Sequence, residues 1–160
     1  MTHTVILPDA DATRALGERL ARIARAGDVI VLTGALGAGK TTLTQGLGAG
    51  LGVRGRVTSP TFTISRIHPA PAPTPDLVHV DAYRLTGLLD LETIDLDASI
   101  PETITVIEWG EALVDELGVD YLTITLDREA GGLAEGARLA HLTPHGSRWS
   151  AAELAVLAGS

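Results

Sequence analysis

Asp28-Val29-Ile30-Val31-Leu32-Thr33-Gly34-Ala35-Leu36-Gly37-Ala38-Gly39-Lys40-Thr41-Thr42-Leu43 is the stretch on which the fold turns. Asp28 to Thr33 is a short, β-branched apolar run of the kind that forms a buried parallel strand. Gly34, Gly39, Lys40 and Thr41 then occupy the four fixed places of the phosphate-loop pattern G-x-x-x-x-G-K-[ST]. Leu43, Leu47 and Leu51 follow at four-residue spacing, as one face of a helix requires. The competing reading is a glycine-rich turn capping a helix. Strand, glycine loop and helix in this order favour the phosphate loop.

The chemistry follows from that geometry. Residues without Cβ let a loop bend until successive backbone N–H groups, here including those of Gly37, Ala38 and Gly39, face phosphate oxygens. The first turn of the helix, with Lys40, Thr41 and Thr42, adds unpaired N–H groups and the positive end of the dipole. Lys40 is expected to reach the β- and γ-phosphates as a point charge, and the Thr41 hydroxyl to ligate Mg2+. Lys40 is the only lysine among 12 basic residues, the rest being arginine. A lysine in an arginine-using chain points to a required ammonium group.

Outward from the loop, bulk properties bound the reading. With 160 residues the chain is expected to form one domain, residues 1–160, large enough to bury a core. Aromatics are only 3% of the chain, so Leu, Val, Ile and Ala must pack it. The formal net charge of −8 disfavours autonomous binding to nucleic acid, so any role near RNA should run through a partner or a local basic patch. The absence of cysteine excludes disulfides, thiolate zinc sites and cysteine catalysis. No apolar run approaches the roughly 20 residues of a membrane span. Met1 to Asp11 also lacks the basic start and apolar core of an export signal. A cytoplasmic protein without membrane contact is expected.

The chain in order reads as alternating strands and helices. His3 to Leu7 is a strand, and Asp9, Asp11 or Thr13 caps a helix running to about Ala26, with Leu16, Leu20 and Ile23 inward. Arg14, Arg19, Arg22 and Arg25 read as its solvated face. The loop helix should stop near Gly50 or Gly52. After it, Ser59, Thr61 and Thr63 offer hydroxyls where phosphate-loop proteins often carry a γ-phosphate switch; an ordinary turn into a strand is the equal alternative. Phe62 to His68 reads as a strand. Pro69 to Pro75 holds four of the eight prolines and reads as a stiff exposed connection to the next strand, Asp76 to Asp81. Asp81 ends that apolar strand and is the candidate for holding the metal's water or the attacking water.

Asp90 to Asp97 reads as an acidic helix or turn with solvated charges. Thr103 to Glu108 is another strand ending in an acid. Glu108 and Asp81 are thus expected at the C-terminal edge of parallel strands, where open α/β sheets bind ligands. Trp109 follows, either packed under the site or filling core. Gly110 to Leu117 is a brief helix. Tyr121 to Leu126 and Ala137 to Leu142 alternate and should pair antiparallel at a sheet edge, before a capped terminal helix from Ser150 to Leu157. His3, His68, His79, His141 and His145 show no metal-ligand spacing and receive no role. The fold class expected is α/β: a three-layer, P-loop NTPase-like arrangement with a mainly parallel central sheet and antiparallel edge strands.

The loop, then Ser59-Pro60-Thr61-Phe62-Thr63, His79-Val80-Asp81-Ala82-Tyr83-Arg84-Leu85 and Ile107-Glu108-Trp109, in that order, resemble the TsaE (formerly YjeE) family. Its members are bacterial ATPases of tRNA threonylcarbamoyladenosine (t6A) modification. The resemblance covers nearly the whole chain. It implies ATP and Mg2+ as ligands and TsaD and TsaB as partners, with tRNA met only indirectly and ATP turnover resetting the TsaB–TsaD assembly. It also implies Lys40 and Thr41 as phosphate and Mg2+ residues, Glu108 as second metal ligand and Asp81 as the residue positioning water. Thr61 or Thr63 would be the switch. Asp9 to Thr13 and Arg138 would border the nucleotide. Two features depart from the family: Gly110-Glu111-Ala112-Leu113 stands where a basic residue often follows Glu-Trp, and the Pro69–Pro75 insert is unlike it. Arg84 is a candidate substitute for the missing basic contact.

Three other classes are weighed against these residues. A small-molecule kinase, the runner-up, would bring a lid with several arginines; here the best arginine pairs are Arg54 with Arg56 and the lone Arg84, and no lid-length insertion appears. A guanine-nucleotide switch would carry N-K-x-D, which a chain with one lysine, already in the loop, cannot supply. A non-hydrolysing scaffold would not need the pair Asp81 and Glu108.

Overall fold

The computed structural model describes residues 2–34, 39–55, 57, 65–81, 96, 98–128 and 137–159. Its strands are β1 (His3–Leu7), β2 (Val29–Thr33), β3 (Ser65–His68), β4 (Leu77–Asp81), β5 (Ile104–Glu108), β6 (Tyr121–Asp127) and β7 (Arg138–His145). Its α-helices are α1 (Ala10–Ile23), α2 (Lys40–Leu51), α3 (Glu111–Leu117) and α4 (Ala151–Leu157). The strands form one sheet in the order β1-β7-β6-β2-β5-β4-β3. The central four, β6, β2, β5 and β4, run parallel, and the flanks are antiparallel.

Local chemistry explains the element ends. Asp9 caps α1 through a 2.8 Å bond from the Ala12 amide, and Gly52 closes α2 in the left-handed region, φ 74°. Ser150 and Glu153 form a reciprocal capping box at the start of α4. The buried runs Val29 to Leu32 of β2 and Ile104 to Glu108 of β5 follow from their central, two-sided position. Leu43, Leu47, Leu16 and Leu20 pack on one face of the sheet against Ile30, Leu32, Leu77 and Val106. Val29, Val31, Val78 and Ile107 face the other way, against Leu113 and Val114 of α3. Helices on both faces of a centrally parallel sheet make a P-loop NTPase-like fold.

Two sequence expectations change. β6 and β7 do pair antiparallel, from Tyr121 opposite His145 to Asp127 opposite Leu139, but not at an edge. β6 also pairs parallel with β2, and β1 covers the outer side of β7, so β1 is the edge strand on that side. The arginines of α1 are not all solvated: Arg19 donates through Nε and Nη2 to the Leu157 carbonyl, at 3.1 and 2.9 Å, and so closes the end of α4. Most of the Asp90–Asp97 segment lies outside the described residues. Among the described residues no helix is long and apolar enough to cross a membrane.

Candidate phosphate and cation site

The parallel strands deliver their C-terminal ends to one edge of the sheet. Leu32 of β2 lies opposite Glu108 of β5, and Glu108 lies opposite Asp81 of β4. The chain leaves β2 through Gly34, φ 148°, and enters α2 through Gly39, φ 105°. Gly39 is the N-cap and has no side chain with which to close the helix start. Its φ disfavours any L side chain, and a Cβ there would sit 3.5 Å from Thr13 Cγ2. Thr13 of α1 thus lies beside Gly39 at the start of α2.

Lys40 is the first residue of α2 and is buried, with 8% exposure. Three groups receive its ammonium. Nζ donates to the Gly34 carbonyl at 2.8 Å, lies 4.2 Å from the Trp109 ring centroid and stands 3.8 Å from Glu108 Oε1. The last distance is a charge contact, too long for a hydrogen bond. Trp109 is 48% exposed and holds φ 60°, so it is no core filler; a left-handed backbone turns its ring over the lysine.

Glu108 is buried and has a second partner: His79 Nε2 lies 2.7 Å from its Oε2. Burial alone would raise the Glu108 pKa, but the hydrogen bond and charge of His79 and the charge of Lys40 outweigh it. The carboxyl is held below its usual range and is ionised at neutral pH. His79 had no role on sequence grounds. Its position two residues before Asp81 on one strand face was the available signal, since period-two alternation turns both toward the side of Glu108. His68 lies diagonal to it, opposite Leu77 on β3. Burial first, then the charges of His79 and Arg66, lower the His68 pKa.

The other candidates fall as follows. Asp81 is half-buried at the end of β4, and Thr41 and Thr42 are half-buried in the first turn of α2. Arg138 begins β7 at the end of the sheet where β6 finishes, and its Nη1 donates to the Ala137 carbonyl at 2.8 Å. Lys40, Glu108, Asp81 and the start of α2 thus share one edge. Gly37, Ala38, Thr61, Thr63, Ser59 and Arg84 lie outside the described residues.

Among the described residues no three His, Asp or Glu side chains gather as a protein-only metal cage. One ionised carboxylate beside Lys40 at the start of α2 instead matches the way Mg2+ is held, by one or two protein oxygens together with substrate phosphates.

Comparison with known proteins gives a consistent picture. The family model described as "Threonylcarbamoyl adenosine biosynthesis protein TsaE" matches residues 7–135. A tRNA threonylcarbamoyladenosine biosynthesis protein TsaE from Streptomyces coelicolor is 56% identical over 147 residues, covering 91% of this chain and 99% of that protein. The Mycobacterium tuberculosis protein of the same name is 43% identical over 132 residues, covering 78% of this chain and 79% of its own. The crystal structure of Bacillus subtilis YdiB superposes with a TM-score of 0.74 at 27% identity, covering 99% of this chain and 95% of that one.

Proposed function

The chain belongs to the TsaE family of tRNA threonylcarbamoyladenosine biosynthesis, and we propose that it serves there as a Mg2+-dependent ATPase. The observation that carries the reading is that Lys40, Glu108 and Asp81 stand together at one edge of the sheet, beside the start of α2. ATP binds with its phosphates on the loop amides and the Lys40 ammonium. Thr41 and Glu108 would hold Mg2+, which when bound neutralises charge on the β- and γ-phosphates. Asp81 orients the attacking water, Thr61 or Thr63 senses the γ-phosphate, and Arg138 and the Asp9–Thr13 segment border the nucleotide. TsaB and TsaD are the partners, and ATP turnover resets their complex between cycles; tRNA is met through them. The net charge of −8 fits that indirect route.

The test is steady-state ATP hydrolysis by the purified chain, alone and with a cognate TsaB–TsaD pair. The pair should stimulate turnover, and Lys40→Ala should bring it to background by removing the charge that neutralises phosphate. Turnover unchanged by a functional pair would overturn the partner assignment. Hydrolysis surviving in Lys40→Ala would overturn the site.

A further inference from the structure

His79 is fully buried in the middle of β4, between Leu77, Val78 and Val80, at a place where an apolar side chain would pack without cost. Its one described polar contact is with Glu108. A carboxylate only accepts, so Nε2 must carry the proton and donate across the 2.7 Å to Oε2. Nδ1 has no hydrogen-bond partner among the described residues. A buried ring nitrogen without a partner destabilises the fold, so packing does not explain the residue. The bond engages Oε2 alone and leaves Oε1 on the side of Lys40.

We propose that His79 is the positioning residue for Glu108: it pins Oε2 and thereby presents Oε1 to a divalent cation beside the start of α2. This rests on Glu108 being the cation ligand, as in the proposed function. Carboxylates that bind metal are themselves held by outer hydrogen bonds, and losing such a bond typically weakens metal affinity 10–100-fold. The geometry of donor and acceptor carries the role. It needs no change in the charge of the imidazole.

The experiment measures Mn2+ affinity by electron paramagnetic resonance on the chain loaded with a non-hydrolysable ATP analogue, alongside analogue affinity without metal. His79→Leu keeps the packing and removes the donor. His79→Asn places an amide nitrogen near the Nδ1 position, too short to reach Oε2, whereas His79→Gln places one near Nε2. His79→Leu and His79→Asn should weaken Mn2+ binding about 10–100-fold with metal-free analogue affinity unchanged, and His79→Gln should recover most of it. Should His79→Leu not fold, the contrast between Gln and Asn carries the same test. Wild-type Mn2+ affinity in His79→Leu, beside a weakened Glu108→Gln control, would overturn the positioning role alone. Equal weakening in Gln and Asn would do the same, pointing to packing. Unchanged affinity in Glu108→Gln would overturn the ligand reading of Glu108, and the role of His79 with it.

Discussion

Lys40 is aimed before any anion arrives. The Gly34 carbonyl, the Trp109 ring and Glu108 hold the ammonium on three sides, so little side-chain freedom is left to lose when an anion arrives. Asp81 differs in kind. It stands at the end of the neighbouring strand, opposite Glu108, whereas the carboxylate beside the Lys40 ammonium is that of Glu108. Charge neutralisation and water positioning should therefore separate by mutation. Asp81→Ala is expected to keep ATP affinity within a few-fold while turnover falls on the order of 10²-fold or more, read as KD by calorimetry against kcat. Equal loss of both would remove the role given to Asp81. Lys40, Glu108 and Asp81 were legible because each sits in a local pattern, a loop motif or an acid ending an apolar run. His79 was not, because its meaning depends on which strand lies beside β4. Cross-strand pairing leaves no spacing in the chain.

At the scale of elements, the direction of α2 is set by its contact with α1. A Cβ on Gly17 would run into the Leu43 carbonyl and the Leu47 amide, and one on Gly46 into the Arg14 carbonyl. The two helices thus touch backbone to backbone at two glycines. Since α2 begins with Lys40 and Thr41, this approach also fixes where those residues point. Gly46→Ala should force the helices apart and lower the unfolding free energy by about 1–3 kcal/mol, measured by urea denaturation. An unchanged midpoint would show that the contact yields freely. Leucine spacing revealed which face of α2 turns inward, while the glycines looked like mere composition until α1 lay across them. The same limit explains the edge: alternation identified β6 and β7, but the choice of β1 as the outer neighbour depends on a partner more than a hundred residues away in the chain, His3 opposite Leu142.

Across the whole molecule, a single guanidinium joins three elements at the end of the sheet remote from the loop. Arg148 donates to both oxygens of Asp28 at 2.7 and 2.9 Å, to the Ile23 carbonyl at 2.9 Å and to Glu153 at 2.8 Å. It so ties the end of α1, the entry to β2 and the start of α4, with its guanidinium over the Trp149 ring. Asp28 is 3% exposed, and Arg148→Met would strand its carboxylate there, at a cost of about 3–5 kcal/mol. Roughly 15 Å of β2 separates this cluster from the loop, so ATP affinity of the folded variant should match wild type. A second variant gives the pH dependence. The hydrogen bond from Arg148, opposed by burial and aided by the Ser150 amide, holds the Glu153 carboxyl below its usual range. A carboxyl with a lower pKa in the folded than in the unfolded chain stabilises the fold above the unfolded value, and that contribution is lost as pH falls through the folded one. Wild type should therefore exceed Glu153→Gln in unfolding free energy at neutral pH, and the gap should close between the ordinary glutamate pKa and more acidic solution. Denaturation curves from pH 7 down to about pH 3 decide it. A gap that stays constant over that range would mean the ionised form of Glu153 contributes nothing, and the clamp would reduce to Arg148 and Asp28.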